Sequence, residues 1–191
     1  LYTAPAVATP QKQLKMLPEQ VALKPIRSFQ QIATVTESRQ GLEKIVSGSS
    51  SLLELHSIRE YSEGTLKQLA QLIDQDVECL FCARGQGIID NADDLSFYIL
   101  GQTGFSSNLV NQKLDKLKNE QASKQVKACF LQQQHHYQSD SLNLYIAKGD
   151  YRAVIYVALN TPLTETQTQL LNVFLTGVAV CYENVHLFQK L

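Results

Sequence analysis

Two strand-like runs joined by a three-residue turn constrain this chain more than any other feature. Leu142 to Ala147 alternates, with Leu142, Leu144 and Ile146 on one side and Asn143 and Tyr145 on the other. Tyr151 to Leu159 is apolar through Ala153, Val154, Ile155, Tyr156 and Val157. Alternation with a period of two marks a strand, and a short continuous apolar run marks one covered on both faces. Lys148-Gly149-Asp150 between them is a hairpin turn signal. A hairpin with one central-looking strand needs more strands beside it and helices over the sheet.

The rest of the chain supplies both. Val77 to Arg84 and Leu95 to Gln102 read as two further strands, separated by an acidic loop through Asp90, Asn91, Asp93 and Asp94. Val126 to Leu131 reads as another, and His135 to Tyr137 as an extension or a separate short strand. Four of the five prolines fall before residue 26, so residues 1–25 are expected to be a linker. Residues 26–46 read as a long helix carrying Phe29, Ile32 and Ile45, weakened at Gly41. A helix that begins with the capping box of Ser57 and Glu60 is expected to end near Asp74. Asn108 to Ser123 also has a helical period, through Leu109, Val110, Leu114 and Leu117. Thr164 and Gln167 form a second capping box, and a helix runs from there to the C-terminus. On it, Leu171, Phe174, Val178, Cys181, Val185 and Phe188 alternate steps of three and four, the seam by which two helices supercoil. Leu170, Gly177 and Tyr182 offer a second face that suits the sheet. The expected fold is therefore α/β (α+β): a mostly antiparallel sheet of five or six strands flanked by long terminal helices.

With 191 residues the chain suits one domain over 26–191 plus its flanking linker. Seventeen basic and eighteen acidic residues leave a net charge of −1, a poor field for nucleic acid. No apolar run is long enough to span a bilayer, so no membrane partner is expected. The start at Leu1 without a signal sequence suggests a fragment of a longer chain. Cys79, Cys82, Cys129 and Cys181 lie in apolar segments, which suits free thiols in the cytoplasm.

No motif carries a reaction. Cys79-Leu80-Phe81-Cys82 is a CxxC, but residues three apart on a strand face opposite sides, and no second pair completes a zinc site. His135 and His136, adjacent on an edge, cannot easily grip one ion and suit a solvated loop better. Arg84-Gly85-Gln86-Gly87 lacks the helix and Lys-Ser/Thr of a phosphate loop and reads as a turn. Asp90, Asp93 and Asp94 lack the ligand ladder of an EF-hand. No catalytic residues, cofactor or metal are expected.

The order of elements resembles a GAF domain, a ligand-sensing module related to PAS. Ser38-Arg39-Gln40-Gly41-Leu42-Glu43-Lys44-Ile45-Val46 and Ser51-Leu52-Leu53-Glu54-Leu55 look like the start of one bacterial family. Leu170-Leu171-Asn172-Val173-Phe174 and Tyr182-Glu183-Asn184-Val185-His186-Leu187 look like its end. That family is a GAF-like domain of unknown function found between a response-regulator receiver domain and an HD-GYP cyclic-di-GMP phosphodiesterase domain. The resemblance implies a non-catalytic domain that relays or tunes a signal between those neighbours. It also implies a pocket between the sheet and residues 97–117, where Phe81, Tyr98 and Phe105 are candidate lining residues for a small-molecule ligand such as a cyclic nucleotide. The heptad pattern points to a parallel homodimer in which Phe29, Ile32, Leu171, Phe174, Val178 and Val185 meet their copies.

Overall fold

The computed structural model describes residues 38–45, 57–85 and 95–189. The chain divides into two units, Leu1–Gln40 and Gly41–Leu191. Of the first, only residues 38–40 are described, and they are helical. The sequence readings for the linker, Phe29, Ile32 and the acidic loop lie outside the described residues.

In the second unit, residues 41–45 are helical, with Gly41 against Leu170 and Ile45 in the core. Helix α1 spans Ile58–Ile73. Ser57 starts it by accepting the Glu60 N–H at 3.0 Å. Asp74 ends it in the left-handed conformation, its N–H donating to the carbonyls of Ala70 and Gln71. Strands β1 (Cys79–Arg84) and β2 (Phe97–Thr103) follow, then a single 3-10 turn at Leu114–Lys116. Helix α2 is Glu120–Gln132. The remaining strands are β3 (His136–Tyr137), β4 (Ser141–Lys148) and β5 (Tyr151–Ala158), and helix α3 closes the chain at Glu165–Gln189.

Among the described residues five strands lie in the order β2-β1-β5-β4-β3, every neighbour antiparallel. The hairpin that constrained the sequence joins β4 to β5, with Gly149 at φ 59° where the tight turn needs a residue without a side chain. β5 occupies the middle of the sheet, in line with its continuous apolar run. Getting from β2 at one edge to β3 at the other takes the chain across one face of the sheet, and α2 is that crossing. Helices α1 and α3 cover the opposite face.

Each central strand therefore feeds two cores. Phe81, Leu144 and Ile155 point toward α1 and α3, while Leu80, Cys82 and Val154 point toward α2. The end of α1 and the start of α3 are tied by a hydrogen bond. Thr164 and Gln167 cap α3 reciprocally, at 3.0 and 3.1 Å, and the Gln167 amide also donates to the Ile73 carbonyl at 3.0 Å.

The sequence reading of residues 108–131 needs correction. The strand expected at Val126–Leu131 is the second half of α2. Of the helix expected at 108–123, residues 120–123 are the first turn of α2, and 108–119 form a loop with one 3-10 turn. Ala122, Ser123, Val126 and Cys129 bury a single helical stripe, and the Asn119 side chain caps it by accepting the Ala122 N–H at 3.2 Å. Leu114 and Leu117 are buried under the turn without needing a longer helix. Their spacing is helical, but two leucines three apart fit a 3-10 turn as well.

Candidate functional site

Among the described residues, three places have the geometry to do something beyond holding the fold together: a cleft at one end of the sheet, the outer face of α3, and the short edge strand β3.

The cleft is built from the end of β2. Gly104 turns the chain at φ 81°, and a Cβ there would lie 2.6 Å from the Val77 carbonyl oxygen, so only glycine fits. The loop that follows is held by Gln102. Its side-chain amide donates to the Ser107 carbonyl at 2.6 Å and accepts the Leu109 N–H at 2.5 Å. Two backbone bonds lay the same loop along β2: Asn111 N–H to the Ile99 carbonyl at 2.7 Å and Ile99 N–H to the Gln112 carbonyl at 3.0 Å. An otherwise open sheet edge is thereby covered. Between this loop, the start of α2 and Glu78 lies a cleft of about 550 Å³. Phe105, Leu109 and Leu117 supply its apolar surface, with Ser107, Lys116 and Lys118 among its polar groups. A smaller hollow of about 390 Å³ shares Glu78 and is lined by Asp76, Gly104 and Asn160. Such walls can hydrogen-bond a polar ligand and pair with a charged one.

Of the three residues expected to line a pocket, the cleft gathers only Phe105. Phe81 and Tyr98 belong to the core on the α1–α3 side. The Phe81 ring packs edge-on against Tyr61 at 5.9 Å and tilted against Tyr182 at 5.4 Å. Tyr61 in turn stacks on Tyr182 at 5.9 Å and donates its hydroxyl to the Val178 carbonyl at 2.5 Å. An aromatic residue on a strand reads alike on either face, so the sequence could not tell a core ring from a pocket ring. The polar loop residues of the cleft were missed; the Ser106-Ser107-Asn108 run after Gly104 was the available signal.

Helix α3 is long and apolar enough to cross a membrane by length and composition, but half of that stretch is buried inside the domain, as in a core helix. Its expected dimer seam also needs correction. Leu171, Phe174, Val178 and Val185 are buried against α1 and the sheet of their own chain. A seam of threes and fours specifies an apolar partner and not which one. The face left outside carries Val173, Val180 and Leu187, which are 51%, 41% and 49% exposed and lie seven residues apart. Phe188 is exposed beside them. Near the end of α3 the β4–β5 hairpin packs onto it, Tyr151 stacking on His186 at 4.2 Å.

The thiols sit where strand geometry puts them: Cys79 in one core and Cys82 in the other, so the CxxC is divided by the sheet. Burial raises Cys79 to about 11 and Cys129 to about 12, and pushes Cys82 and Cys181 up as well. None is a thiolate near neutral pH. Among the described residues no three His, Cys, Asp or Glu side chains come together to hold a metal. His135 is not a solvated loop histidine. It is partly buried, and its Nδ1 accepts the Tyr145 N–H at 2.9 Å.

This architecture, an antiparallel sheet in the order 2-1-5-4-3 between two helical layers, is the GAF fold. It is similar to the GAF domain of a phosphoenolpyruvate-protein phosphotransferase from Coxiella burnetii, with a TM-score of 0.60 at 10% identity over 81% of this chain and 99% of that one. The corresponding domain from Acinetobacter gives 0.57 at 10% identity over 76% and 93%. A GAF domain of a putative sensor histidine kinase from Pseudomonas syringae pv. tomato gives 0.53 at 11% identity over 85% and 96%. The chain belongs to the family described as domain of unknown function (DUF3369), whose model matches residues 24–191. No curated protein matches it.

Proposed function

We propose that this domain is a non-catalytic relay, working as a homodimer between a receiver domain and an HD-GYP phosphodiesterase domain of the same parent chain. The observation that carries the reading is the two-sidedness of α3. Its inner face is fastened to the domain from Gln167 to His186, while its outer face presents Val173, Val180 and Leu187 at heptad spacing. A helix fixed to a sheet on one side and paired with a copy on the other turns a shift in either into a shift of its neighbour. Exposed Thr176 and Asn184 make this stripe less apolar than the buried one, so pairing is expected to depend on concentration. The family resemblance supplies the two neighbours.

Sedimentation of the domain tests this. A concentration-dependent dimer that Val180→Glu weakens by at least about tenfold is the expected result, since the charge would enter a dry helix pair. A monomer at all accessible concentrations, or a dimer indifferent to Val180→Glu, overturns it.

The cleft beside Phe105 supports a second reading, a sensor for a small polar metabolite or cyclic nucleotide. A thermal-shift panel of nucleotides separates the two: a saturable rise in melting temperature that Phe105→Ala and Lys116→Ala abolish supports the sensor.

A further inference from the structure

Strand β3 is only two residues long, and its ladder is two pairs, His136 with Asn143 and Tyr137 with Leu142. Two pairs at a sheet edge are marginal by themselves. Three consecutive side chains make up the difference, and each reaches a different element. The His135 Nδ1 accepts the backbone N–H of Tyr145 on β4 at 2.9 Å. His136 Nε2 lies 2.8 Å from Gln132 Oε1 at the end of α2. The Tyr137 hydroxyl donates to Asn172 Oδ1 on α3 at 3.0 Å. Helices α2 and α3 lie on opposite faces of the sheet, so this segment links the two layers around its edge.

We infer that His135–Tyr137 is a proton-sensitive clasp, closed while the His135 Nδ1 lone pair accepts the Tyr145 amide and released when that nitrogen is protonated. Two donors would then face each other across 2.9 Å, and the ring must swing out. With the ring goes the support for a two-pair strand, and with the strand goes the Tyr137–Asn172 bond to α3. The ionisable residues in contact with His135 are His136 and Tyr137, which follow it in the chain, and Tyr145 on β4. From α2 and α3 the uncharged Gln132 and Asn172 reach the segment. Burial lowers the His135 pKa, and the charge of His136 lowers it further. The sign follows. The closed form prefers the neutral ring, so closure is favoured above the ordinary histidine value and lost as pH falls below it. The clasp stands whether or not the domain dimerises.

Amide exchange of Tyr145, corrected for its intrinsic pH dependence, reads the clasp in the intact 191-residue chain. One histidine with an ordinary value of about 6.5 in the open form allows up to about a tenfold loss of protection between pH of about 7.5 and 5.5. The Asn172 side-chain amide signals should shift over the same range. His135→Gln keeps an acceptor and cannot titrate, so its Tyr145 protection should be flat with pH, whereas His136→Gln should keep the loss. No loss in the parent, an equal loss in His135→Gln, or Asn172 signals that stay still while Tyr145 opens would each overturn the clasp. Direct titration of the His135 ring decides the matter if that variant fails to fold: a midpoint at or above the ordinary histidine value sinks it.

Discussion

Tyr61 carries the contact on which the α1–α3 layer depends, and removing its hydroxyl isolates one part of that contact. Tyr61→Phe keeps the ring, its stack on Tyr182 and its edge against Phe81, and deletes the hydroxyl with its bond to the Val178 carbonyl. A net hydrogen bond of this kind is worth about 0.5–1.5 kcal/mol. Tyr61→Ala removes a fully buried ring as well, for which large-to-small substitutions cost about 3–5 kcal/mol. Urea denaturation monitored by circular dichroism measures both. With a slope of about 1–3 kcal/mol per molar, the hydroxyl should move the midpoint by several tenths of a molar at unchanged slope. The alkaline limb supplies an independent sign. Burial raises the Tyr61 pKa well above 10, so the folded state holds a proton that the unfolded state releases above that value. Stability therefore falls as pH rises past about 10, and Tyr61→Phe should lessen the fall by about 1.4 kcal/mol per pH unit while the folded tyrosine stays protonated. A Tyr61→Phe protein as stable as the parent, with an unaltered alkaline slope and a Tyr61→Ala cost below about 2 kcal/mol, would refute the packing described here.

Two further outcomes follow from the same core. A Cβ added at Gly101 would fall 2.6 Å from the Ser62 Cβ and 3.1 Å from the Glu63 backbone nitrogen, so Gly101→Ala must push α1 off β2. It should cost about 1–3 kcal/mol in the same urea assay, and a neutral result would mean that α1 does not approach β2 so closely. The four buried thiols should react with a thiol-specific reagent only after unfolding, at a rate that follows denaturant. Rapid labelling of Cys79 or Cys82 in the native protein would contradict the two closed cores.

Much of this protein is legible in its residues because local physics decides it. The β4–β5 hairpin follows from alternation and Gly149, the start of α1 from Ser57, and the start of α3 from Thr164 and Gln167. The division of the CxxC follows from the two-residue period of a strand. What the chain could not declare locally is which apolar surface meets which. Leu171, Phe174, Val178 and Val185 form a seam by spacing, but only the packed domain shows that α1 and the sheet occupy it and that Val173, Val180 and Leu187 remain outside. Phe81 and Tyr98 are aromatic residues on strands in either account, and only the assignment of helices to faces puts them in the core. Val126 to Leu131 reads as a strand until Asn119 caps the turn before it and Cys129 falls on the buried stripe. Spacing and caps act over a few residues and are written in the sequence. The partner of an apolar face is chosen by long-range burial, which exists only once the sheet has formed and its layers have closed.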